Sequence, residues 1–81
     1  MKLLKFEASW CGPCKAMDHV FDMINLDVDI ERINIDFNKE LCYKYEVRSV
    51  PTLIMINDKG KELRRTMGMK NTDELMEFVK G

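Results

Sequence analysis

The stretch Trp10-Cys11-Gly12-Pro13-Cys14-Lys15 decides how this chain is read, because it stands where one periodicity gives way to another. Before it, Leu4, Phe6 and Ala8 alternate with Lys5 and Glu7, with Leu3 on the second face, which is the period of a strand. After it, Met17, Val20, Phe21 and Ile24 fall at i, i+3, i+4 and i+7, which is one face of a helix. The two cysteines thus occupy a strand-to-helix junction, with Cys11 at the expected N-cap and Cys14 one turn inside. The unpaired N–H groups and the positive dipole end of a helix favour an anion at that place. Thiol–disulfide exchange needs a thiolate that attacks and a second thiol that releases the mixed disulfide. Cys11 alone is expected to be both exposed and activated. Pro13 suits a first helical turn, where its missing N–H has no partner to lose. Gly12 removes side-chain bulk beside the attacking sulfur.

Working outward, Asn25 and Asp27 suggest the end of the helix. Val28 to Asp36 reads as a strand of imperfect phase, since Val28 and Ile30 share one parity and Ile33 and Ile35 the other. Either it starts late, near Glu31, or it carries a bulge. Asn38 can cap a short helix bearing Leu41, Cys42 and Tyr45. Val50-Pro51 breaks the chain before Thr52 to Ile56, an apolar strand fit for burial on both faces. Asn57-Asp58-Lys59-Gly60 has the composition of a hairpin turn into Lys61 to Thr66, and Gly68 marks a second turn. Asn71 with Glu74 three residues on resembles a capping box before a helix whose buried face is Leu75, Phe78 and Val79. The predicted order is βαβαββα. The first crossover is expected to be right-handed and to make the first two strands parallel, while the hairpin makes the last two antiparallel. The fold class is α/β, a mixed four-stranded sheet with three helices, in one domain over residues 1–81.

Composition narrows the functions. A net charge of −1 gives no electrostatic case for nucleic acid. Five basic residues between Lys59 and Lys70 read as a charged, solvated edge strand more readily than as a docking patch. No apolar run approaches the roughly 20 residues that span a bilayer, and Met1 to Ala8 lacks the apolar core of an export signal. Three cysteines, an odd number, argue against a disulfide framework. A reducing, cytoplasmic setting with a transient, catalytic disulfide is expected. Cys42 reads as a buried, inert thiol, His19 as a surface helix residue, and the seven methionines mostly as core filler and an initiator. The competing use of the cysteines is a metal site built from Cys11, Cys14, His19 and Cys42. His19 is turned well away from Cys11, Cys42 lies on a separate helix, and zinc needs neither Trp10 nor the Gly-Pro pair. The redox reading is preferred, and no metal is expected.

Trp10 to Lys15 resembles the active site of the thioredoxin family. Ile33-Asn34-Ile35-Asp36, Val50-Pro51-Thr52-Leu53 and Gly68 agree with that family in order and spacing, so the resemblance runs from Lys2 to Lys80. It implies the thioredoxin fold, a redox-active Cys11–Cys14 disulfide and a cis peptide bond before Pro51. It also implies a groove for substrate backbone formed by Trp10, Gly12, Pro13, Val50, Pro51 and Gly68. In this reading Cys11 is the nucleophile, Cys14 the resolving thiol, and the substrates are disulfide-containing proteins. A donor such as thioredoxin reductase restores the dithiol, no bound cofactor takes part, and the protein is a monomer. Two other functions stay open. One is a glutaredoxin-like protein served by glutathione, which small size favours and Trp10 with Gly12-Pro13 disfavours. The other is a binding subunit whose thiols are incidental.

Two departures from the family bear on mechanism. The strand and helix that usually precede the first strand are missing. Lys5 stands where the family carries a buried aspartate beneath the active site, and Glu7 where an aromatic residue is common. Lys5, Glu7 and Lys15 are therefore candidates for redox tuning. A cation near the thiols favours the thiolate and makes the disulfide more oxidising. The plainer expectation, which the sequence favours, is that Lys5 reaches solvent or pairs with Glu7.

Overall fold

Strand β1 (Lys2–Glu7) has a neighbour on each side, and this decides what its residues face. The computed structural model describes residues 1–81. The elements after β1 are α1 (Gly12–Met23), β2 (Asp29–Asn34), α2 (Lys39–Lys44), β3 (Thr52–Ile56), β4 (Glu62–Met67) and α3 (Thr72–Lys80). The βαβαββα order is the one expected. The four strands run in the order β2-β1-β3-β4, with β1 parallel to β2 and antiparallel to β3, and β3 antiparallel to β4.

Helices cover both faces of this sheet. On one, Leu3, Leu53 and Met55 meet Met17 and Phe21 of α1 and Leu75 of α3, with Phe78 and Val79 packed alongside. On the other, Leu4, Phe6, Ile33 and Ile54 meet Tyr45, the residue that ends α2, with Leu41 and Cys42 against them. β3 is buried at all five positions, as its apolar sequence predicts. β1 departs from simple in–out alternation: Leu3, Leu4, Lys5 and Phe6 are all buried. The reason is position, since a central strand covered on both faces has no solvent side.

Several local expectations need correction. β2 begins at Asp29 rather than near Glu31 and keeps an unbroken parallel register with β1, so it has no bulge. Its phase looked irregular because Val28 packs on the α1 face from outside the strand, while Ile33 and Ile35 serve the α2 face. Asn38 occupies the N-cap of α2 without a capping bond; its amide instead donates to the Asn34 carbonyl at 2.9 Å. Only Met17 and Met55 are fully buried among the methionines, while Met1, Met23, Met67, Met69 and Met76 are exposed. The basic run on β4 is more than a solvated edge. Arg64 donates to the Phe78 and Val79 carbonyls at the end of α3, and Arg65 donates to the Tyr45 carbonyl.

The turns follow their sequences. Gly60 closes the β3–β4 hairpin and Gly68 leaves β4, both with positive φ (79° and 87°), a conformation that glycine adopts without strain. The Asn71–Glu74 capping box is complete: Glu74 N–H donates to Asn71 Oδ1 at 2.8 Å and Asn71 N–H to Glu74 Oε1 at 3.1 Å. Replacing Leu53, which is fully buried, by alanine is expected to lower unfolding stability by about 3 kcal/mol. Asn71→Ala is expected to lower it by about 1 kcal/mol. Urea denaturation of both variants gives the comparison, and equal losses would contradict the assigned core.

Candidate active site

Cys11 is the N-cap of α1, in extended conformation, and Pro13 lies in the first turn. Cys11 and Cys14 form a disulfide with a Cα–Cα separation of 5.3 Å. The Cys14 N–H donates to Cys11 Sγ at 3.1 Å, so this sulfur already holds one of the helix's otherwise unpaired donors. The same N–H bonds more strongly to an anionic sulfur, which is how the helix start favours a Cys11 thiolate.

The expectation that Cys11 is freely exposed is not met. In the disulfide it is 4% exposed, against 2% for Cys14. Both pack with Ala8, and Val50 and Ile35 close in from neighbouring loops. Access comes through the exposed residues beside them, Trp10, Gly12 and Pro13. A Cβ added to Gly12 would meet nothing within 4 Å outside its two chain neighbours, so no other part of the fold requires glycine there.

Of the other residues singled out in the sequence, Val50 packs directly against this pair. The Val50–Pro51 peptide is cis. The Gly68 N–H donates to the Pro51 carbonyl at 2.9 Å, which ties the turn after β4 to the Pro51 loop. Ser49 Oγ lies 3.6 Å from Met67 Sδ and joins the same two segments. Trp10 is two-thirds exposed, yet its indole N–H donates to Asp36 Oδ2 at 3.0 Å. Asp36 is held in turn by its own N–H, which donates to Asn34 Oδ1 at 2.9 Å. Asp36 was visible in the sequence only as part of a matching stretch. Its contact could not be foreseen because the two residues are 26 positions apart.

Lys5 neither reaches solvent nor stands alone. It has no exposed surface. Its ammonium donates to Glu7 Oε1 at 2.6 Å, to Asp18 Oδ1 at 2.6 Å and to the Cys14 carbonyl at 3.3 Å. These three acceptors use all three ammonium protons. The expected pairing with Glu7 is present; Asp18 and Arg32 are additions that sequence reasoning missed. Arg32 lies opposite Lys5 in the β1–β2 register and bonds to Asp18, with Glu7 at 3.4 Å. Two cations and two carboxylates make the cluster neutral. The missed signals were Asp18, one turn beyond Cys14 on α1, and Arg32 next to Ile33. Lys15 is exposed and takes no part in an ion pair. Burial pushes the Cys42 thiol up, and the Asp36 charge adds to this, so Cys42 is a poor nucleophile near neutral pH. His19 is exposed, and no group of three or more His, Cys, Asp or Glu side chains is arranged to hold a metal.

Burial pushes the Asp18 carboxyl up, but hydrogen bonds and charge from Lys5 and Arg32 outweigh it and hold the carboxyl below its ordinary range. A carboxyl depressed in the folded state adds stability above its unfolded pKa, about 3.9, and that contribution is lost as pH falls through the folded value. Asp18→Asn is therefore expected to be less stable than the parent at neutral pH. The difference should shrink as pH drops below about 4. Urea midpoints across pH 2–7 give the measurement, and a difference constant over that range would contradict the ion pairing.

Comparison with known proteins agrees with this geometry. The thioredoxin family model matches residues 1–81. The thioredoxin of Chlamydia caviae is 39% identical over 80 residues, which is 95% of this chain and 78% of that relative. That of Staphylococcus epidermidis is 37% identical, spanning 98% of this chain and 79% of its own. A mutant thioredoxin from Halobacterium salinarum superposes with a TM-score of 0.87 at 32% identity, over 96% of this chain and 70% of that one. The chain belongs to the thioredoxin family, and the Cys11–Cys14 pair at the start of α1 makes it a thiol–disulfide oxidoreductase.

Proposed function

We propose that the protein is a general reductant of protein disulfides, working as a cytoplasmic monomer of one domain, with Cys11 as nucleophile and Cys14 as resolving thiol. The observation that carries this reading is the disulfide at the N-terminus of α1, with Cys11 Sγ accepting the Cys14 N–H. The Cys11 thiolate attacks one sulfur of a target disulfide. The target's other sulfur leaves with the bonding electron pair and is protonated. Cys14 then attacks Cys11 Sγ, the Cys11–target bond breaks, the second target sulfur leaves as a thiol, and the Cys11–Cys14 disulfide forms. Two electrons pass to the target, and a donor of the thioredoxin reductase type restores the dithiol. No helix is long and apolar enough to cross a membrane.

Trp10, Gly12, Pro13, Val50, Pro51 and Gly68 are the residues we assign to the target. Exposed Trp10 and Pro13 offer apolar surface, and the Pro51 loop, braced by the Gly68 N–H, lies beside the disulfide. Lys5, Glu7 and Lys15 are the residues we assign to tuning, through charge near the thiols.

An insulin-reduction assay tests the main reading. With dithiothreitol or thioredoxin reductase as donor, the protein is expected to be active, Cys11→Ser inactive, and Cys14→Ser to accumulate a mixed disulfide. Activity retained in Cys11→Ser would overturn it, and turnover with glutathione alone would reassign the donor. Lys5→Asp tests the tuning. Reversing this charge is expected to lower the reduction potential, by on the order of 30 mV for a tenfold change in the exchange equilibrium. An unchanged potential would remove Lys5 from the tuning set.

A further inference from the structure

Lys5 touches α1 at two places one turn apart. Its ammonium reaches the backbone carbonyl of Cys14 and the side chain of Asp18. The Lys5 side chain therefore straps the first turns of α1 to the central strand. Glu7 and Arg32 keep the strap in place: Glu7 takes a second ammonium proton, and Arg32 bonds to both carboxylates. The aromatic ring of Phe21, further along α1, lies 5.8 Å from the ammonium and helps to close the site against water.

Stability alone does not account for this arrangement. Burying an ammonium carries a desolvation cost that a neutral cluster only offsets, and an apolar side chain of similar volume commonly does as well or better. What the cluster supplies, and an apolar residue cannot, is a directional bond to one backbone atom, the carbonyl of the second cysteine. Cys11 receives no bond from the cluster; its carbonyl accepts only the helix's own Lys15 N–H, at 3.3 Å. Its sulfur is positioned by the N-cap conformation and by the Cys14 N–H.

We infer that Lys5 is a positioning residue for the resolving thiol: held by Asp18, Glu7 and Arg32, its ammonium fixes the Cys14 carbonyl, and with it Cys14 Sγ, where the mixed disulfide is attacked. The inference rests on the proposed role of Cys14 as resolving thiol. It concerns one step. The Cys14 thiol gives up its proton and attacks Cys11 Sγ, the Cys11–target bond breaks, and the target sulfur leaves with the electron pair and takes up a proton. No other oxidant or reductant enters. The first step, attack by Cys11 on the target, meets the Lys5 strap only indirectly, through the Cys14 N–H that Cys11 Sγ accepts.

The two steps are separable by single-turnover kinetics with a disulfide peptide. Attack by Cys11 is measured in a Cys14→Ser background, and resolution is measured with both cysteines present. Lys5→Met is expected to slow resolution by about tenfold or more, as small misplacements of reacting groups do, so that mixed disulfide builds up where the parent shows none. The attack step is expected to slow by a clearly smaller factor, set by the loss of the Lys5 charge near the thiols, because it is not the step being misaligned. Asp18→Asn keeps Lys5 but removes the charge that holds its ammonium against α1, and is expected to slow the same step by a smaller factor. It carries the test by itself if Lys5→Met fails to fold. Lys5→Arg, which restores donors for the carboxylates and the carbonyl, is expected to recover part of the rate. Equal slowing of both steps in Lys5→Met, or unchanged resolution in both Lys5→Met and Asp18→Asn, would overturn the inference. Failure of Cys14→Ser to trap a mixed disulfide would instead overturn the proposed function, whatever Lys5 does.

Discussion

A lysine in the middle of a strand covered on both faces must find its counter-charges inside the protein. Lys5 is in that position, and the chemistry around the disulfide is arranged about it. Its ammonium cannot turn to water, so two carboxylates and a carbonyl surround it, and an arginine from the neighbouring strand balances the second carboxylate. Removing a carboxylate leaves the buried Lys5 ammonium short of counter-charge, which is more damaging than replacing the whole group, while Glu7, Asp18 and Arg32 keep part of their surface in water. The four charges therefore behave as one unit and tie β1, β2 and α1 together directly beneath the cysteines.

The two cysteines draw on different parts of the fold. Cys11 depends on the free N–H groups of the α1 start, so its reactivity is a property of the helix end. Cys14 depends on the helix body and on what lies under it. The groove has a third origin, in the Pro51 loop and the turn at Gly68, which a backbone hydrogen bond holds together. Attack, resolution and recognition thus have different main supports, coupled where the Cys14 N–H meets Cys11 Sγ and where Val50 packs on both cysteines.

Much of this was legible in the sequence. Strand and helix periods either side of Trp10–Lys15 placed the cysteines, and the stretch from Asn57 to Gly60 placed the hairpin. The capping box at Asn71 was complete as read. What escaped notice depended on tertiary neighbours. Leu4, Lys5 and Phe6 are all buried because β1 is central, and nothing in the local alternation of polar and apolar residues says which strand is central. Lys5 looked solvated because lysine is almost never fully buried without partners, and its partners Asp18 and Arg32 come from other elements. Asp36 reaches Trp10 across 26 residues, a distance over which pattern carries no information. The methionines misled for a different reason. They are apolar enough to suggest core, yet most lie on open surface, where sequence composition does not distinguish them.

The membership of the Lys5 cluster has a consequence for the order in which the protein is assembled. Lys5, Glu7, Cys14, Asp18 and Arg32 all belong to the unit β1-α1-β2, which is synthesised before β3. The far side of β1 is covered only by β3, whose Ile56 pairs with Lys2. That pairing closes a long loop, a slow kind of contact to form. During synthesis the ionic cluster and the thiol pair can therefore come together while one edge of the central strand is still open. An unpaired strand edge at that stage is where mispairing begins. A cluster that fixes α1 on β1 early limits how far that half of the sheet can rearrange before its partner arrives.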